Sequence, residues 1–304
     1  MITLRAIIAP SYIRSALPAE WLVHEFDEGD TPDPAILDAV EFFVPPYDSP
    51  DGAIVRQMPR LQVVQSLMAG VDAMLPHVPS DVVLCNAAGV HDASTAELAV
   101  GLMIEAQRNL HGYRDLQHRG VWDLQWQRGL ADAHVLIVGA GHIGTAIANR
   151  LTPMEATFTR VGRTARIDSL GPVRAQSELP ALLPTADIVC LIVPLTPDTT
   201  RMVDADFLSH MKEGALLVNV ARGKVVDTDA LLAALTSGRI RAALDVTDPE
   251  PLPAEHPLWT APNTIITPHI GGHAAAFLPR AQQLVKAQIL RWIDGVPLEN
   301  VIAH

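Results

Sequence analysis

The sequence predicts an α/β protein of two domains, the larger one a doubly wound parallel sheet, and three observations carry that reading. Short aliphatic runs alternate with helical patterns through most of the 304 residues, the pattern of strands covered on both faces by helices. One run, His134-Val-Leu-Ile-Val138, passes without a gap into Gly139-Ala-Gly141-His142-Ile143-Gly144 and then into the helical stretch TAIANRL. The strand-like segments also fall into two series, and a chain of this length fits one large or two medium domains better than one small core.

The first series comprises LRAIIAP, AVEFFVP, LQVVQSL and VVLCNAA, with Gly and Pro punctuating the gaps. A helical stretch follows from Ser94 to about Asn109, with Ser94 or Asp92 as its cap. The second series runs HVLIV, ATFTRVGR, ADIVCLIVP, GALLVNVAR, IRAALDV and NTIITPHI. Six such segments joined by short helices predict a parallel sheet. A last amphipathic helix, about Phe277 to Asp294, lies beyond that sheet and returns the chain to the first domain. The expected division is 1–97 with 277–304 for one domain and 98–276 for the other.

Composition narrows the partners. A formal charge of −12 argues against nucleic acid or an anionic membrane, since both need basic patches. Cys85 and Cys190 sit in apolar runs and read as buried, reduced thiols. No CxxC or His/Cys cluster suggests a metal site. No apolar run reaches the roughly 18 residues of a membrane span, and the apolar start is too short for a signal peptide. A cytoplasmic protein is expected.

The spacing from Gly139 to Gly144 is G-x-G-x-x-G in the strand–turn–helix context that gives it meaning. Gly139 permits the tight turn, Gly141 lets a pyrophosphate approach the backbone, and Gly144 lets helix and strand pack closely. The N–H groups at the helix start, from His142, Ile143 and Gly144, suit phosphate; the His142 side chain fills the turn. A Rossmann-type dinucleotide site follows, and with it an NAD(P)-dependent oxidoreductase. Enzymes that use NAD place an acid after the next strand to hold the adenosine ribose. This chain has Gly162-Arg163-Thr164-Ala165-Arg166 there. Arg163 can stack on adenine and pair with a 2′-phosphate, with Arg166 and the Thr164 hydroxyl adding contacts. NADP is therefore expected over NAD.

Three segments at strand ends of the second series carry reactive side chains: Asn219-Val-Ala-Arg222-Gly223, Asp245-Val-Thr-Asp248-Pro-Glu250-Pro, and Thr267-Pro-His269-Ile-Gly271-Gly272. Ligands of open α/β sheets bind beyond such ends. An Arg, a Glu and a His beside a nicotinamide suit reduction of a keto acid. Arg holds the carboxylate and polarises the carbonyl, His delivers the proton, and Glu keeps the imidazole charged and oriented.

With these residues in view, the chain resembles the D-isomer-specific 2-hydroxyacid dehydrogenases. The resemblance covers most of the chain and rests on VGAGHIG, LIVPLTPDTT (191–200), NVARGKVVD (219–227), AALDVTDPEPLP (242–253) and TPHIGG (267–272). The first half adds SLMAGVD (66–72) and NAAGVHDASTAELAVGLMIEAQR (86–108). It implies a flavodoxin-like α/β substrate domain beside the Rossmann-type one. Arg222 then binds the substrate's carboxylate and carbonyl, Glu250 partners the catalytic His, and His269 is the general acid/base. The backbone at Ala69 and Gly70 grips the carboxylate, Asp245 contacts the nicotinamide amide, and Pro194 and Leu195 line the cofactor cleft. The choice of Glu250 over Asp248 rests on this resemblance. His91 and His273 are candidates to line the pocket.

The resemblance is closest in character to glyoxylate and hydroxypyruvate reductases, through the Arg-containing loop and the LPxxxPLW segment, Leu252 to Trp259. Glu250 argues against formate as substrate, because formate dehydrogenases pair the His with Gln. The residues around Tyr47, Met68 and Trp126 match no substrate class clearly. Two other readings stand beside a 2-keto acid reductase: a non-enzymatic, NAD(P)-sensing corepressor-like regulator, and a phosphite-type dehydrogenase. The resemblance further implies a homodimer formed through segments near 98–130, where Trp122 and Trp126 either meet the partner or fold onto their own domain.

Overall fold

A computed structural model describes residues 6–47 and 52–302. The chain divides into two compact units, residues 1–91 with 275–304 and residues 92–274. The expected boundary at 97/98 would have cut a helix. That helix begins at Asp92 and belongs whole to the second unit.

The first unit holds β1 (Ala6–Ala9), α1 (Ser11–Arg14), β2 (Val23–Glu25), α2 (Pro34–Leu37), β3 (Val40–Phe43), β4 (Val63–Gln65), β5 (Val83–Cys85) and α9 (Phe277–Asp294). The strands are all parallel in the order β2-β1-β3-β4-β5, the flavodoxin-like order. Period-2 alternation sends neighbours to opposite faces. Ile7 and Phe42 pack with Ala281, Val285 and Ile289 of α9, while Ile8 and Phe43 pack on the other face with Val55, Met74 and Leu84. The part of LRAIIAP before Ala6 lies outside the described residues. Strand β2 went unread because its three residues, Val-His-Glu, are one-third apolar and half exposed.

The second unit opens with α3 (Asp92–Arg108) and α4 (Leu110–His118), followed by an extended stretch, 121–128. Its sheet is built from β6 (His134–Val138), β7 (Thr157–Gly162), β8 (Arg166–Asp168), β9 (Gly171–Ala175), β10 (Ile188–Leu191), β11 (Leu216–Asn219), β12 (Arg241–Leu244) and β13 (Thr264–Ile266). Helices α5 (His142–Leu151), α6 (Leu179–Leu182), α7 (Ala205–His210) and α8 (Thr228–Thr236) connect them. The order is β13-β12-β11-β10-β6-β7-β9-β8, parallel except for β8 against β9. It reverses direction at β6, the switch point of a doubly wound sheet beyond which a dinucleotide binds. Both faces are covered: Val135, Ile137, Cys190 and Val218 pack under α3 and α5, and Leu136, Val138, Leu191 and Leu217 under α7 and α8. The edge hairpin β8–β9 adds two strands to the six expected.

Both thiols are free and buried. Burial pushes Cys85 up to about 11, against a hydrogen bond with Gln288 that lowers it, and pushes Cys190 up to about 12. No helix among the described residues is long and apolar enough to cross a membrane. Among them there is also no group of three or more His, Cys, Asp or Glu side chains placed to hold a metal ion.

Candidate active site

The glycine turn shows a separate reason for each glycine. Gly139 has φ +125°, and a Cβ there would lie 2.2 Å from the Ile192 carbonyl oxygen. A Cβ on Gly144 would lie 1.9 Å from the Gly139 oxygen, so helix α5 can sit this close to β6 only with glycine. Gly141 is different: nothing lies within 4 Å of a Cβ there. Its bareness answers no packing need, and it opens onto a cleft of ≈ 490 Å³ lined by Asp92, Ala140, His142 and Thr145. The first i→i−4 bond of α5 runs from the Thr145 amide to the Gly141 oxygen, 2.9 Å. The amides of His142, Ile143 and Gly144 precede it at the positive end of the helix. The residues present therefore fit a pyrophosphate. The exposed His142 side chain stands 3.6 Å from the Asp92 carboxylate.

At the end of β7 the two arginines part company. Arg163 is exposed and makes no hydrogen bond or ion pair among the described residues. Arg166 donates from Nη2 to the Ala140 carbonyl inside the glycine turn, 2.7 Å. A Cβ on Gly162 would meet the Arg166 Nη1 at 2.7 Å. The guanidinium thus fills the space beside the position where an NAD-type acid would stand. Beneath it, the buried Arg160 forks onto Asp168 at 2.8 and 2.6 Å and onto the Gly171 oxygen at 3.2 Å. This fork ties β8 and β9 to β7 and so fixes the start of β8, which is Arg166. The Asp168 carboxyl is held below its usual range by the Arg160 hydrogen bonds first, then by the Leu170 amide. Thr164 lies in the exposed loop between these arginines.

Strands β11, β12 and β13 are adjacent and parallel, with Asn219 beside Leu244 and Leu244 beside Ile266. The loops that leave them therefore emerge at one edge. In the first loop the buried Asn219 accepts from the Ala221 amide (3.0 Å) and donates to the Arg222 carbonyl (3.0 Å), which sets the turn that presents Arg222. Gly223 follows because a Cβ there would come within 1.8 Å of the Thr247 oxygen. The Arg222 loop thus packs directly on the turn that carries Glu250.

His269 takes φ +53°, a left-handed conformation costing about 1–2 kcal/mol for a residue with a Cβ. It is held there by hydrogen bonds from its amide to the Asp245 carbonyl (2.7 Å) and the Thr267 carbonyl (3.0 Å). Asp245 is itself buried. Its carboxylate accepts from the Thr267 hydroxyl (2.6 Å), the Ile270 amide (2.9 Å) and the Gly271 amide (2.9 Å), and the Thr95 hydroxyl donates to the Gly271 oxygen (3.1 Å). The resemblance assigns Asp245 to the nicotinamide amide and gives Thr95 no role; in the structure both anchor this turn.

The His269 Nδ1 lies 2.5 Å from Glu250 Oε1. Among the described residues no such contact involves Asp248: its backbone carbonyl accepts from the Thr228 hydroxyl at 2.8 Å, and its charge acts on Arg201. Burial raises the Glu250 carboxyl. The His269 hydrogen bond and charge, the Thr247 amide and the Arg222 charge outweigh burial and hold it below its ordinary range. An ionised Glu250 orients the ring with Nδ1–H toward it and leaves Nε2 to exchange a proton with a ligand. Arg222 adds a cation to the same edge.

The remaining candidates are placed as follows. Pro194 is exposed and Leu195 half-buried in the loop after β10; that loop is folded around Thr199, whose hydroxyl donates to the Pro194 oxygen at 2.6 Å. In the first unit, Ala69 and Gly70 follow β4, where the Asn86 amide donates to the Ala69 oxygen at 2.8 Å. His91 is a buried residue of that unit. Its Nε2 lies 2.8 Å from the Leu67 oxygen, and its ring stacks on Phe277 at 5.3 Å. His273 is exposed. Trp122 and Trp126 do not fold onto their own unit, being 97% and 99% exposed.

Comparison with known proteins gives the chain a family. Residues 100–271 match the family described as D-isomer specific 2-hydroxyacid dehydrogenase, NAD binding domain. A glyoxylate reductase of Thermofilum pendens is 31% identical over 82% of this chain and 76% of its own length. The human glyoxylate reductase/hydroxypyruvate reductase is 38% identical over 68% of this chain and 66% of its own. Among solved structures, an NADPH-dependent glyoxylate/hydroxypyruvate reductase of Sinorhizobium meliloti, in complex with NADP and sulfate, superposes with a TM-score of 0.84. It is 26% identical, with 98% of this chain and 97% of that one covered. A D-isomer specific 2-hydroxyacid dehydrogenase of Xanthobacter autotrophicus, in complex with NADPH and MES, gives 0.82 at 28% identity, covering 98% and 97%. A doubly wound NAD-binding sheet, a His–Glu pair and an arginine at one strand edge, and these relatives lead to one statement: the chain belongs to the D-isomer specific 2-hydroxyacid dehydrogenase family of oxidoreductases.

Proposed function

We propose that this protein reduces small 2-keto acids to D-2-hydroxy acids with NADPH, with glyoxylate and hydroxypyruvate as the substrate class. The observation that carries the reading is the His269–Glu250 contact at the edge that also presents Arg222. When bound, the reduced nicotinamide is the source of the hydride. Arg222 takes the keto acid's carboxylate and draws electron density from its carbonyl. His269 gives a proton from Nε2 to the carbonyl oxygen, and Glu250 stabilises the charged ring before that transfer. The Asp245 and Pro194 loops serve the nicotinamide end. For the first unit, the proposal is that the backbone of Ala69 and Gly70 takes part in carboxylate binding.

Support for NADPH comes from the missing acid at Gly162 and from Arg166 beside it, placed for a 2′-phosphate next to the glycine turn. The relatives named above, two of them solved with NADP or NADPH, point the same way. The exposed Trp122, Leu124 and Trp126 support a homodimer through the 98–130 segment, and the two buried thiols support a cytoplasmic setting. The test is a panel of 2-keto acids assayed with NADPH and NADH side by side. NADPH oxidation with glyoxylate or hydroxypyruvate is expected. Oxidation of NADH alone would overturn the cofactor assignment, and NADP reduction by phosphite without any keto acid turnover would overturn the substrate class.

A further inference from the structure

In the first unit, the turn that leaves β4 is tied down on one side only. Three successive carbonyls, those of Leu67, Met68 and Ala69, accept from the stretch that leaves β5. Their donors are His91 Nε2 at 2.8 Å, the Ala87 amide at 2.8 Å and the Asn86 side-chain amide at 2.8 Å. Across a planar trans peptide the N–H points opposite to the carbonyl that precedes it. The amides of Ala69 and Gly70 share peptide units with the Met68 and Ala69 carbonyls, so they point away from that stretch. Among the described residues these two amides donate to nothing, and both residues are half-buried. Adjacent backbone N–H groups left in this way suit the oxygens of an anion.

Asn86 holds this arrangement through every polar group it has. Its Nδ2 donates to the Ala69 oxygen while its Oδ1 accepts from the Ala88 amide at 3.1 Å. Its backbone amide donates to the Asn300 oxygen at 3.0 Å, and its backbone oxygen accepts from Gln65 Nε2 at 3.0 Å. Residues 299–302 support it from the other side. Asn300, at φ +56°, donates from Nδ2 to the Ala88 oxygen at 3.1 Å, and the Ile302 amide donates to the Leu84 oxygen at 2.8 Å. The fully buried Gln288 of α9 joins the two sides. It donates to Gln65 Oε1 (2.8 Å) and the Glu299 oxygen (2.9 Å) and accepts from the Glu299 amide (3.0 Å). A buried polar network satisfied to this degree fixes one arrangement of its members.

We propose that Asn86 is a positioning residue for the keto acid's carboxylate. It draws the Ala69 carbonyl toward β5 and so turns the Gly70 amide to the ligand, and residues 299–302 hold Asn86 in place. The assignment rests on the reading of Ala69 and Gly70 as a carboxylate-binding backbone. It also explains the residue type. An aspartate could still accept from the Ala88 amide, but it would set a carboxylate oxygen against the Ala69 carbonyl in place of a donor.

Steady-state kinetics of Asn86→Asp and Asn300→Gly, with glyoxylate and hydroxypyruvate and with NADPH varied separately, test the assignment. Asn86→Asp is expected to raise the keto acid KM by about tenfold or more and to leave kcat and the KM for NADPH nearly unchanged, the signature of lost ground-state binding. Asn300→Gly keeps the left-handed backbone and removes only the side chain; it is expected to raise the same KM by a smaller factor. Should Asn86→Asp fail to fold, the selective rise in Asn300→Gly supports the assignment and its absence overturns it. An active wild type whose keto acid KM is unchanged in Asn86→Asp overturns the assignment alone. So does a fall in kcat without a rise in that KM, or an equal rise in the KM for NADPH, since a merely structural role gives either. A wild type that reduces no 2-keto acid overturns the functional reading and this assignment with it.

Discussion

The amide of His269 donates to the Asp245 carbonyl at 2.7 Å, while the Asp245 carboxylate takes the Thr267 hydroxyl and the Ile270 and Gly271 amides around it. His269 is thus fixed from both sides by one buried aspartate, in a left-handed conformation that its own preference opposes. Asp245→Asn keeps the size but replaces one acceptor by a donor facing N–H or O–H groups. A loss of roughly 1–3 kcal/mol of stability is expected, with at least about a tenfold fall in kcat/KM from a misplaced imidazole. Urea denaturation and steady-state kinetics read the two effects. Unchanged values in both would show that the turn holds itself.

Much of this architecture was legible where the signal is local. The strand, glycine turn and helix from His134 to Leu151 are consecutive in sequence, so their pattern carries its own context. The α9 helix was equally plain, since Ala281, Val285 and Ile289 recur at helical spacing. What escaped depends on pairing between distant segments. Strands β8 and β9, RID and GPVRA, form a polar edge hairpin with no aliphatic run to announce it. That hairpin sets Arg166, not Arg163, beside the glycine turn, whereas the sequence puts Arg163 first and gives Arg166 a supporting contact. Asp248 and Glu250 occupy one turn, and only the approach of His269 tells them apart. The anchoring by Asp245 likewise needs β12 and β13 to be neighbours, a fact of the sheet order.

Gly141 and Gly144 separate binding from folding. A Cβ on Gly144 collides with backbone at 1.9 Å, whereas one on Gly141 meets nothing within 4 Å. Gly144→Ala is expected to destabilise the fold by about 1–3 kcal/mol or more, as overpacking does. Gly141→Ala is expected to leave stability within about 1 kcal/mol and to weaken NADPH binding by about tenfold or more by filling the pyrophosphate's approach. Chemical denaturation and a fluorescence titration with NADPH distinguish them. Normal NADPH affinity in Gly141→Ala would place the dinucleotide elsewhere.

Arg166 and Gly162 govern the choice of cofactor in this reading. Losing a charge-assisted contact costs about 1.5–3 kcal/mol, so Arg166→Gln should raise the KM for NADPH by about 10- to 100-fold and leave that for NADH nearly unchanged. Arg163→Gln should have the smaller effect, since Arg163 is not anchored to the glycine turn. Gly162→Asp introduces the missing acid. Its Cβ would press on the mobile end of Arg166 at 2.7 Å and on Val173 at 3.1 Å, so the guanidinium must swing away. Poorer use of NADPH and better use of NADH are expected. Equal KM changes for both cofactors in Arg166→Gln would remove the 2′-phosphate from the explanation.

The Glu250–His269 contact makes a pH-dependent stability prediction of known sign and a kinetic one. Burial raises the Glu250 carboxyl, but its hydrogen bond to His269, that ring's charge, the Thr247 amide and Arg222 bring it below 4.5, the ordinary value. A carboxyl depressed in the folded state stabilises the fold fully above the unfolded value and loses that contribution as pH falls through the depressed one. The stability difference between wild type and Glu250→Gln should therefore be constant above about pH 5 and shrink as the solution is acidified further. It should also be modest, because Glu250 is 40% exposed and solvent screens the pair. In the proposed reduction the same carboxylate orients the His269 ring, so Glu250→Gln should lower kcat/KM for the keto acid near neutrality by about 10- to 100-fold. An unchanged kcat/KM in steady-state kinetics would remove Glu250 from the reaction.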